Sequence, residues 1–291
     1  MPHRLVSIAI LIFWSIAAVA LFTRDLLPDL IVGPPPDLRS IARAEDGPVK
    51  SNWAVLVADD RADQAQLRAV GHAETRTERK NDGWVQFSSE VGFDSGEVLR
   101  GTPFRLERGE RMAVKSTIEV DPAGNLQHFH SSIHPAGGTA SAPLLILEGW
   151  LENDALKVQA RGPVKELCWT QRFPYRARGV VHNTLGPVDR LPGLQVGQRW
   201  ESQVINPLTN QVATAHVEVT GREYRHWGKG PVEMLVVTTR VPPLTARTWV
   251  RADGLVLRQE VPLFFLKLVL ERLPESESGV GAAPGPEDPR P

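Results

Sequence analysis

Apolar and polar residues alternate with a period of two along nearly every segment between residues 53 and 274, the pattern of strands with one buried face. In the run 114–120, the side chains expected to face water are Lys115, Thr117 and Glu119. The runs 71–78, 216–220 and 266–270 repeat this alternation. After residue 50 no long amphipathic helical pattern competes with it. The alternation therefore predicts an all-β domain.

Turn residues separate these runs at the points where an antiparallel chain would reverse. They are Asn81-Asp82-Gly83, Asn153-Asp154, Gly228-Lys229-Gly230-Pro231 and Asp253-Gly254. Such residues tolerate the tight or positive-φ geometry of hairpins. Short hairpins make sequence neighbours pair in space, so the chain is predicted to form an antiparallel meander in one large curved sheet or a pair of sheets.

A weak internal repeat accompanies this pattern. The segments 117–126 and 248–255 both read as strand, acidic turn, glycine and strand. Each follows an earlier wide hairpin. The repeat suggests two similar halves.

The N-terminal segment from Leu5 to Phe22 is apolar except for Ser7 and Ser15. A helix of this length spans about 27 Å, which is close to the hydrocarbon thickness of a bilayer. Residues 1–22 are therefore predicted to be a membrane anchor contacting the bilayer through residues 5–22. The charges at its two ends favour a single pass of the cytoplasmic membrane, N-terminus in, with the bulk of the chain extracytoplasmic. The pattern Ala18-Val19-Ala20 leaves a cleaved signal peptide as the alternative.

Two further segments lie outside the alternating region. Residues 23–52 are expected to be a Pro-rich linker, stiffened by Pro34-Pro35-Pro36. Residues 275–291 are small, acidic and rich in Pro and Gly, so a disordered tail is expected. The β-domain is placed at residues 53–274.

Composition narrows the classes of function. The 33 basic residues nearly balance the 34 acidic ones, which disfavours nucleic acid as a partner. The single cysteine, Cys168, excludes an internal disulfide framework and a four-cysteine zinc site. Cys168 stands between apolar neighbours and is expected to be a buried, unreactive thiol. The serine-hydrolase elbow, the phosphate-binding loop and the zinc-protease motif are absent, so no enzyme activity and no cofactor is expected.

Three histidines provide the most specific chemical pattern. On a strand, His128, His130 and His134 share one face, and imidazoles on one face can bind zinc or copper. The alternative is the solvated face of a strand that buries Phe129 and Ile133. This alternative is favoured because no carboxylate or cysteine lies nearby in the sequence, and no metal site is predicted.

Eight tryptophans against two tyrosines form an unusual balance. Most are expected to anchor the core of a curved sheet. The functional alternative is an apolar groove on the concave face that takes an acyl chain or an apolar segment of a partner. Its candidate lining residues are Trp84, Trp150, Trp169, Trp249 and Phe264.

Several turn motifs carry a resemblance to known proteins. They are the run 69–73, the turn at Asp121, the connection from Gly186-Pro187 to Leu191-Pro192-Gly193, and the hairpin from Trp249 to Pro262. With these, residues 53–273 resemble an uncharacterised bacterial envelope β-domain that in some proteins precedes a transglutaminase-like domain, and distantly the curved-sheet folds of lipoprotein carriers. The resemblance implies a fold and an envelope location, and it implies no catalytic residue.

The sequence thus predicts a membrane-tethered extracytoplasmic β-domain that binds a lipid or other apolar ligand without catalysis. An interaction or scaffold subunit of an envelope complex, with a protein partner, is the alternative.

Overall fold

The computed structural model describes residues 49–58, 67–80, 82–98, 111–135, 142–153, 155–174, 187–206, 211–228, 230–263 and 266–274, together with Trp14. The predicted anchor (Trp14 apart), most of the linker, and the tail lie outside these ranges. None of the helices in the described part of the chain is long and apolar enough to cross a membrane.

The described residues form a single antiparallel sheet. Its strands are β1 Val49–Ala58, β2 Leu67–Arg79, β3 Val85–Asp94, β4 Arg111–Val120, β5 Leu126–Pro135, β6 Leu145–Glu152, β7 Ala155–Arg161, β8 Trp169–Pro174, β9 Arg199–Asn206, β10 Gln211–Trp227, β11 Gly230–Val241, β12 Leu244–Arg251, β13 Val256–Leu263 and β14 Leu266–Arg272. A short helix, α1 (Ser95–Val98), follows β3, and a 3-10 turn, Lys165–Leu167, precedes β8. This confirms the all-β prediction and selects one sheet over a pair.

The strand order is a meander with one long-range junction. It runs from β8 back to β1, then from β14 back to β9, so β1 pairs with β14. The first and last strands thus lie side by side in the middle of the sheet. β1 begins at Val49, four residues before the predicted start of the domain.

The sheet curls back on itself. One hydrophobic cluster contains Val114 of β4 and Val217 of β10, which lie far apart in the strand order. We call the face that carries this cluster the concave face and the opposite one the convex face. Trp53 and Val55 of β1 are fully buried at the centre of this cluster.

The predicted turns are confirmed. Gly83, Asn153, Gly228 and Gly254 all have positive φ and join β2–β3, β6–β7, β10–β11 and β12–β13, respectively. The two repeat segments form similar bulged hairpins, β4–β5 and β12–β13. In both, an i to i+4 backbone hydrogen bond closes the turn, from Asp121 to Asn125 and from Arg251 to Leu255.

The expectation of one buried face per strand is wrong for β11 to β13. Met234, Val236, Trp249 and Leu257 form a buried cluster on the convex face, because Trp227 and Val232 near the end of the β10–β11 hairpin pack against it. The indole of Trp249 donates a 2.7 Å hydrogen bond to Glu223, and the Arg225 guanidinium lies 4.3 Å from its ring centre. This hydrogen bond lowers the pKa of Glu223 below its usual value. The hydrogen bond and positive charge of Arg225 lower it further, whereas burial raises it.

Candidate functional site

A row of hydroxyl side chains crosses the concave face from β1 to β5. Cross-strand register places one such residue in each strand directly opposite the next: Ser51, Thr75, Ser89, Ser116 and Ser131. The first two and Ser116 are buried, whereas Ser89 and Ser131 are half-buried. The hydroxyl oxygens of Ser116 and Ser131 lie 2.9 Å apart and share a hydrogen bond. We call this set the hydroxyl row.

Apolar side chains flank the hydroxyl row on both sides. The register places one set two residues along each strand in one direction, namely Trp53, Ala73, Val91, Val114 and Ile133. In the other direction lie Phe87, Ile118 and Phe129, on β3 to β5. The concave face is therefore an apolar surface with one polar line across it. Burying a hydroxyl group without a hydrogen-bond partner costs free energy, so the buried members of this row need partners. Ser51, Thr75 and Ser116 each have one.

At its β1–β2 end the hydroxyl row meets a buried polar network. Thr75 donates a 2.6 Å hydrogen bond to Oδ1 of Asp189 and accepts one of 3.1 Å from the Trp53 indole. Arg272 Nη1 lies 3.4 Å from the same Asp189 oxygen, and Nη2 donates to Ser51. The side chains of Arg272 and Asp189 are only 11% and 12% exposed. Two opposite charges are thus held inside the curve of the sheet.

Asp189 belongs to residues 187–198, which we call the inner segment. Among its apolar side chains, Val188, Leu191 and Leu194 belong to the concave cluster or pack against it. Its backbone is tied to β13 by the hydrogen bond from Val256 N–H to the Asp189 carbonyl, and to β10 by the one from Val219 N–H to the Gln198 carbonyl. The inner segment therefore covers the concave face between β10 and β13 and reaches across to β2.

The concave face of β5 to β8 carries a second buried cluster, which contains Phe129, Leu156, Val158 and Phe173, and Ile118, Leu147 and Trp169 pack against it. Phe87, Ile118, Leu147 and Trp169 are half-buried, and Gln171 is exposed. Cross-strand register, followed from β2 to β8, places them on the face that carries Thr75. This part of the face presents apolar and aromatic groups beside the half-buried end of the hydroxyl row.

Sequence reasoning missed the Asp189 network, although one signal was present. The alternation in β14 places Leu268 and Leu270 inward, and the same phase makes Arg272 inward. A charged residue at an inward position requires a partner. The sequence does not show that this partner is Asp189, because no strand pattern predicts where a connecting segment folds.

The tryptophans proposed to line one groove do not lie together. Trp169 is on the concave face, whereas Trp150 pairs with His128 on the convex face, beneath the Lys157 ammonium group. Trp249 is buried in the convex cluster, and Trp84 is half-buried beside the β2–β3 turn. Phe264 lies outside the described residues. Of the described groove candidates, Trp169 is the one on the concave face, where it is half-buried and packs against the second cluster.

The expected core role of the tryptophans holds for Trp53 and Trp249 and, in part, for Trp169, Trp200 and Trp227, which pack against the hydrophobic clusters. Trp53 and Trp249 are buried. Those that are only half-buried are Trp84, Trp150, Trp169, Trp200 and Trp227.

The histidines of β5 lie on the convex face. His128 stands between two carboxylates, with Nε2 3.4 Å from Glu148 and Nδ1 3.9 Å from Glu119. His134 Nε2 lies 2.9 Å from the Ser132 hydroxyl. In the described ranges no three His, Cys, Asp or Glu side chains converge as a metal site would require.

Cys168 is exposed, so the expectation of a buried thiol is wrong. The 3-10 turn Lys165–Leu167 places the Leu167 side chain against Gly162. Cys168 follows at the outer end of this turn, and its Sγ donates to the Gly162 carbonyl over 3.3 Å.

Comparison with solved structures shows a structural likeness. The fold is similar to a crystal structure described as a β-barrel-like protein of a domain of unknown function, DUF1849, from Brucella abortus, with a TM-score of 0.47 and 9% sequence identity. The match covers 83% of this chain and 97% of that one. No family model matches the chain. No curated protein matches it either. The function of the neighbour is itself unknown, and nothing about the function of this chain follows from the likeness.

Proposed function

We propose that this chain is a non-catalytic binding domain that holds a lipid or other apolar ligand against the concave face of β3 to β8. The observation that carries the proposal is the group of half-buried apolar and aromatic side chains on this part of the face, beside the hydroxyl row. Ile118, Leu147 and Trp169 are half-buried there and pack against the buried cluster that contains Phe129 and Val158. Apolar side chains lining a concave surface with a few polar groups are the usual composition of a small-molecule site.

The N-terminal sequence supports a tether for this domain. Residues 5–22 are long enough and apolar enough to anchor in a bilayer, and the charge distribution favours an extracytoplasmic domain. A tethered binding domain would meet lipids at the membrane surface. Extraction of cell membranes with alkaline carbonate tests the tether: an anchored chain stays in the pellet, and release into the supernatant contradicts it.

Uptake of an apolar probe tests the binding proposal. The purified full chain is titrated with a fluorescent fatty acid, and the bound fraction is measured by native mass spectrometry. We expect saturable binding, weakened by Ile118→Asp, which places a carboxylate among the half-buried apolar side chains of this face. Gln171→Glu, at an exposed position of the same face, provides the same test if Ile118→Asp does not fold. The matched control is Thr117→Asp, on the opposite face of β4. Equal binding by the test and control variants, or no uptake by the wild type, would overturn the proposal.

A second candidate function is an interaction subunit of an envelope complex. Within the described ranges, β8 and β9 end the strand order, and each pairs along one side. Such edges can accept a strand from a partner. In-cell crosslinking that recovers a distinct envelope protein through β8 or β9 would support this function, and recovery of the chain alone would count against it.

A further inference from the structure

The sheet supplies two groups that bind the Asp189 carboxylate. The side-chain hydrogen-bond donors to this carboxylate include Thr75 of β2 and Arg272 of β14, whereas Asp189 itself lies on the inner segment. The carboxylate and the groups that bind it therefore belong to different parts of the fold.

The donors are held in place by contacts that do not involve Asp189. The Arg272 guanidinium donates to Ser51 and lies 5.4 Å from the centre of the Trp53 ring. Thr75 is fixed by the hydrogen bond from the Trp53 indole. Because Trp53 is fully buried, these groups are preorganised to receive a carboxylate from any source.

The hydroxyl row connects this site to the half-buried side chains of β3 to β5 on the concave face. It runs from Thr75 to the half-buried Ser89 and Ser131, over three strand spacings of about 4.8 Å each. Apolar side chains accompany it on both sides. An amphipathic molecule could therefore place its head group at Arg272 and its chain along β3 to β8.

From this arrangement we infer that Arg272 and Thr75 form a head-group site for an amphipathic carboxylate of the fatty-acid class, filled in this structure by Asp189. The inference rests on the proposed function and adds the chemical class of the ligand. When the ligand enters, its carboxylate replaces that of Asp189, so the number of charges facing Arg272 is unchanged. No covalent bond is made or broken. The inner segment moves away from β2 as its anchor is exchanged.

The preference between two probes of equal chain length tests the head-group site. Dodecanoate and dodecanol are titrated into the full-length wild type, Asp189→Asn, and the double variant Asp189→Asn with Arg272→Gln. The single substitution Asp189→Asn removes the competing charge and keeps the Arg272 guanidinium, so the preference for dodecanoate over dodecanol should rise by roughly tenfold or more. The double variant should lose this gain. An unchanged preference in Asp189→Asn would overturn the inference.

The same titration separates this inference from the proposed function. If every variant binds dodecanoate and dodecanol with equal affinity, the proposed apolar binding surface is supported and the head-group site is wrong. If the wild type binds neither probe, both proposals are wrong.

A measurement on the wild type avoids dependence on the folding of the variants. The Leu191 amide donates to the Gly254 carbonyl, and the Val188 amide donates to Gln259. Saturating dodecanoate should accelerate hydrogen exchange at these amides, whereas dodecanol should not, and the amides of β11 should stay unchanged with both. Equal exchange in the inner segment with both probes at saturation would contradict the displacement of Asp189.

Discussion

The hydroxyl of Thr75 donates a 2.6 Å hydrogen bond to Oδ1 of Asp189, which lies 114 positions later in the chain. Thr75 is almost fully buried and is also the acceptor for the Trp53 indole. One hydroxyl thus joins the centre of the sheet to the inner segment that covers part of its concave face.

Replacement of this hydroxyl should destabilise the domain. Thr75→Val keeps the shape of the side chain, yet it leaves the Trp53 N–H without its acceptor and Asp189 without one donor. We expect the free energy of unfolding, measured by urea titration, to fall by about 1–3 kcal/mol. Thr117→Val on the convex face of β4 is the control and should change it by less than about 0.5 kcal/mol. An equal loss of unfolding free energy in the two variants would show that the Thr75 hydrogen bonds do not stabilise the domain.

Gly149 should not tolerate a side chain. A Cβ atom placed there would lie 2.1 Å from Cε1 of Phe129, whose ring covers this glycine. Since Phe129 is buried, the ring cannot move freely, and Gly149→Ala should lower the free energy of unfolding by about 1–3 kcal/mol. Gly221→Ala is the matched control, because a Cβ there has no neighbour within 4 Å. If Phe129→Leu does not reduce the penalty of Gly149→Ala, the proposed clash is wrong.

The turn between β12 and β13 should make stability depend on pH. The hydrogen bond from Arg251 lowers the pKa of Asp253 from 3.8 to about 2. A lowered pKa in the folded state stabilises the protein above the unfolded pKa, and this contribution is lost as the pH falls from about 4 to 2. Because the side chains of Arg251 and Asp253 are 34% and 46% exposed, solvent screens the pair and its contribution is about 1 kcal/mol or less.

The variant Asp253→Asn isolates this contribution. It should be less stable than the wild type at pH 6, and the difference should shrink as the pH falls from 4 to 2. A difference independent of pH over that range would contradict the assigned role of Arg251.

The convex cluster offers a spectroscopic test. The Trp249 indole is the largest cause of the lowered pKa of Glu223, so Trp249→Phe should raise this pKa toward 4.5. NMR titration of the Glu223 carboxyl group measures the change. Trp227→Phe is the control, because its indole donates to the Arg272 carbonyl instead. A Glu223 pKa that moves equally in both variants would show that the effect is not due to the hydrogen bond.

Much of the fold is predictable from local pattern. Alternation in β2 and β4 identifies the inward residues, and turn chemistry locates reversals such as Gly83 and Gly254. Both signals depend on neighbours in sequence. The pairing of β1 with β14 depends on residues more than 200 positions apart, so local pattern does not contain it.

The candidate site is less predictable for the same reason. Alternation assigns Ser116 and Thr75 to the inward face, but the hydroxyl row exists only once the register of β1 to β5 is known. Trp150 and Trp169 look equivalent in sequence, yet the register places them on opposite faces. Cross-strand register therefore determines which aromatic residues can meet a ligand.

The most direct test of the concave binding surface uses this difference between Trp150 and Trp169. A fatty acid brominated along its chain quenches a nearby indole, and its titration into the full-length wild type, Trp169→Phe and Trp150→Phe is followed by tryptophan fluorescence. Binding on the concave face predicts that Trp169→Phe loses part of the quenching, whereas Trp150→Phe keeps all of it. Loss of quenching in Trp150→Phe, with Trp169→Phe like the wild type, would place the ligand on the convex face and contradict the account.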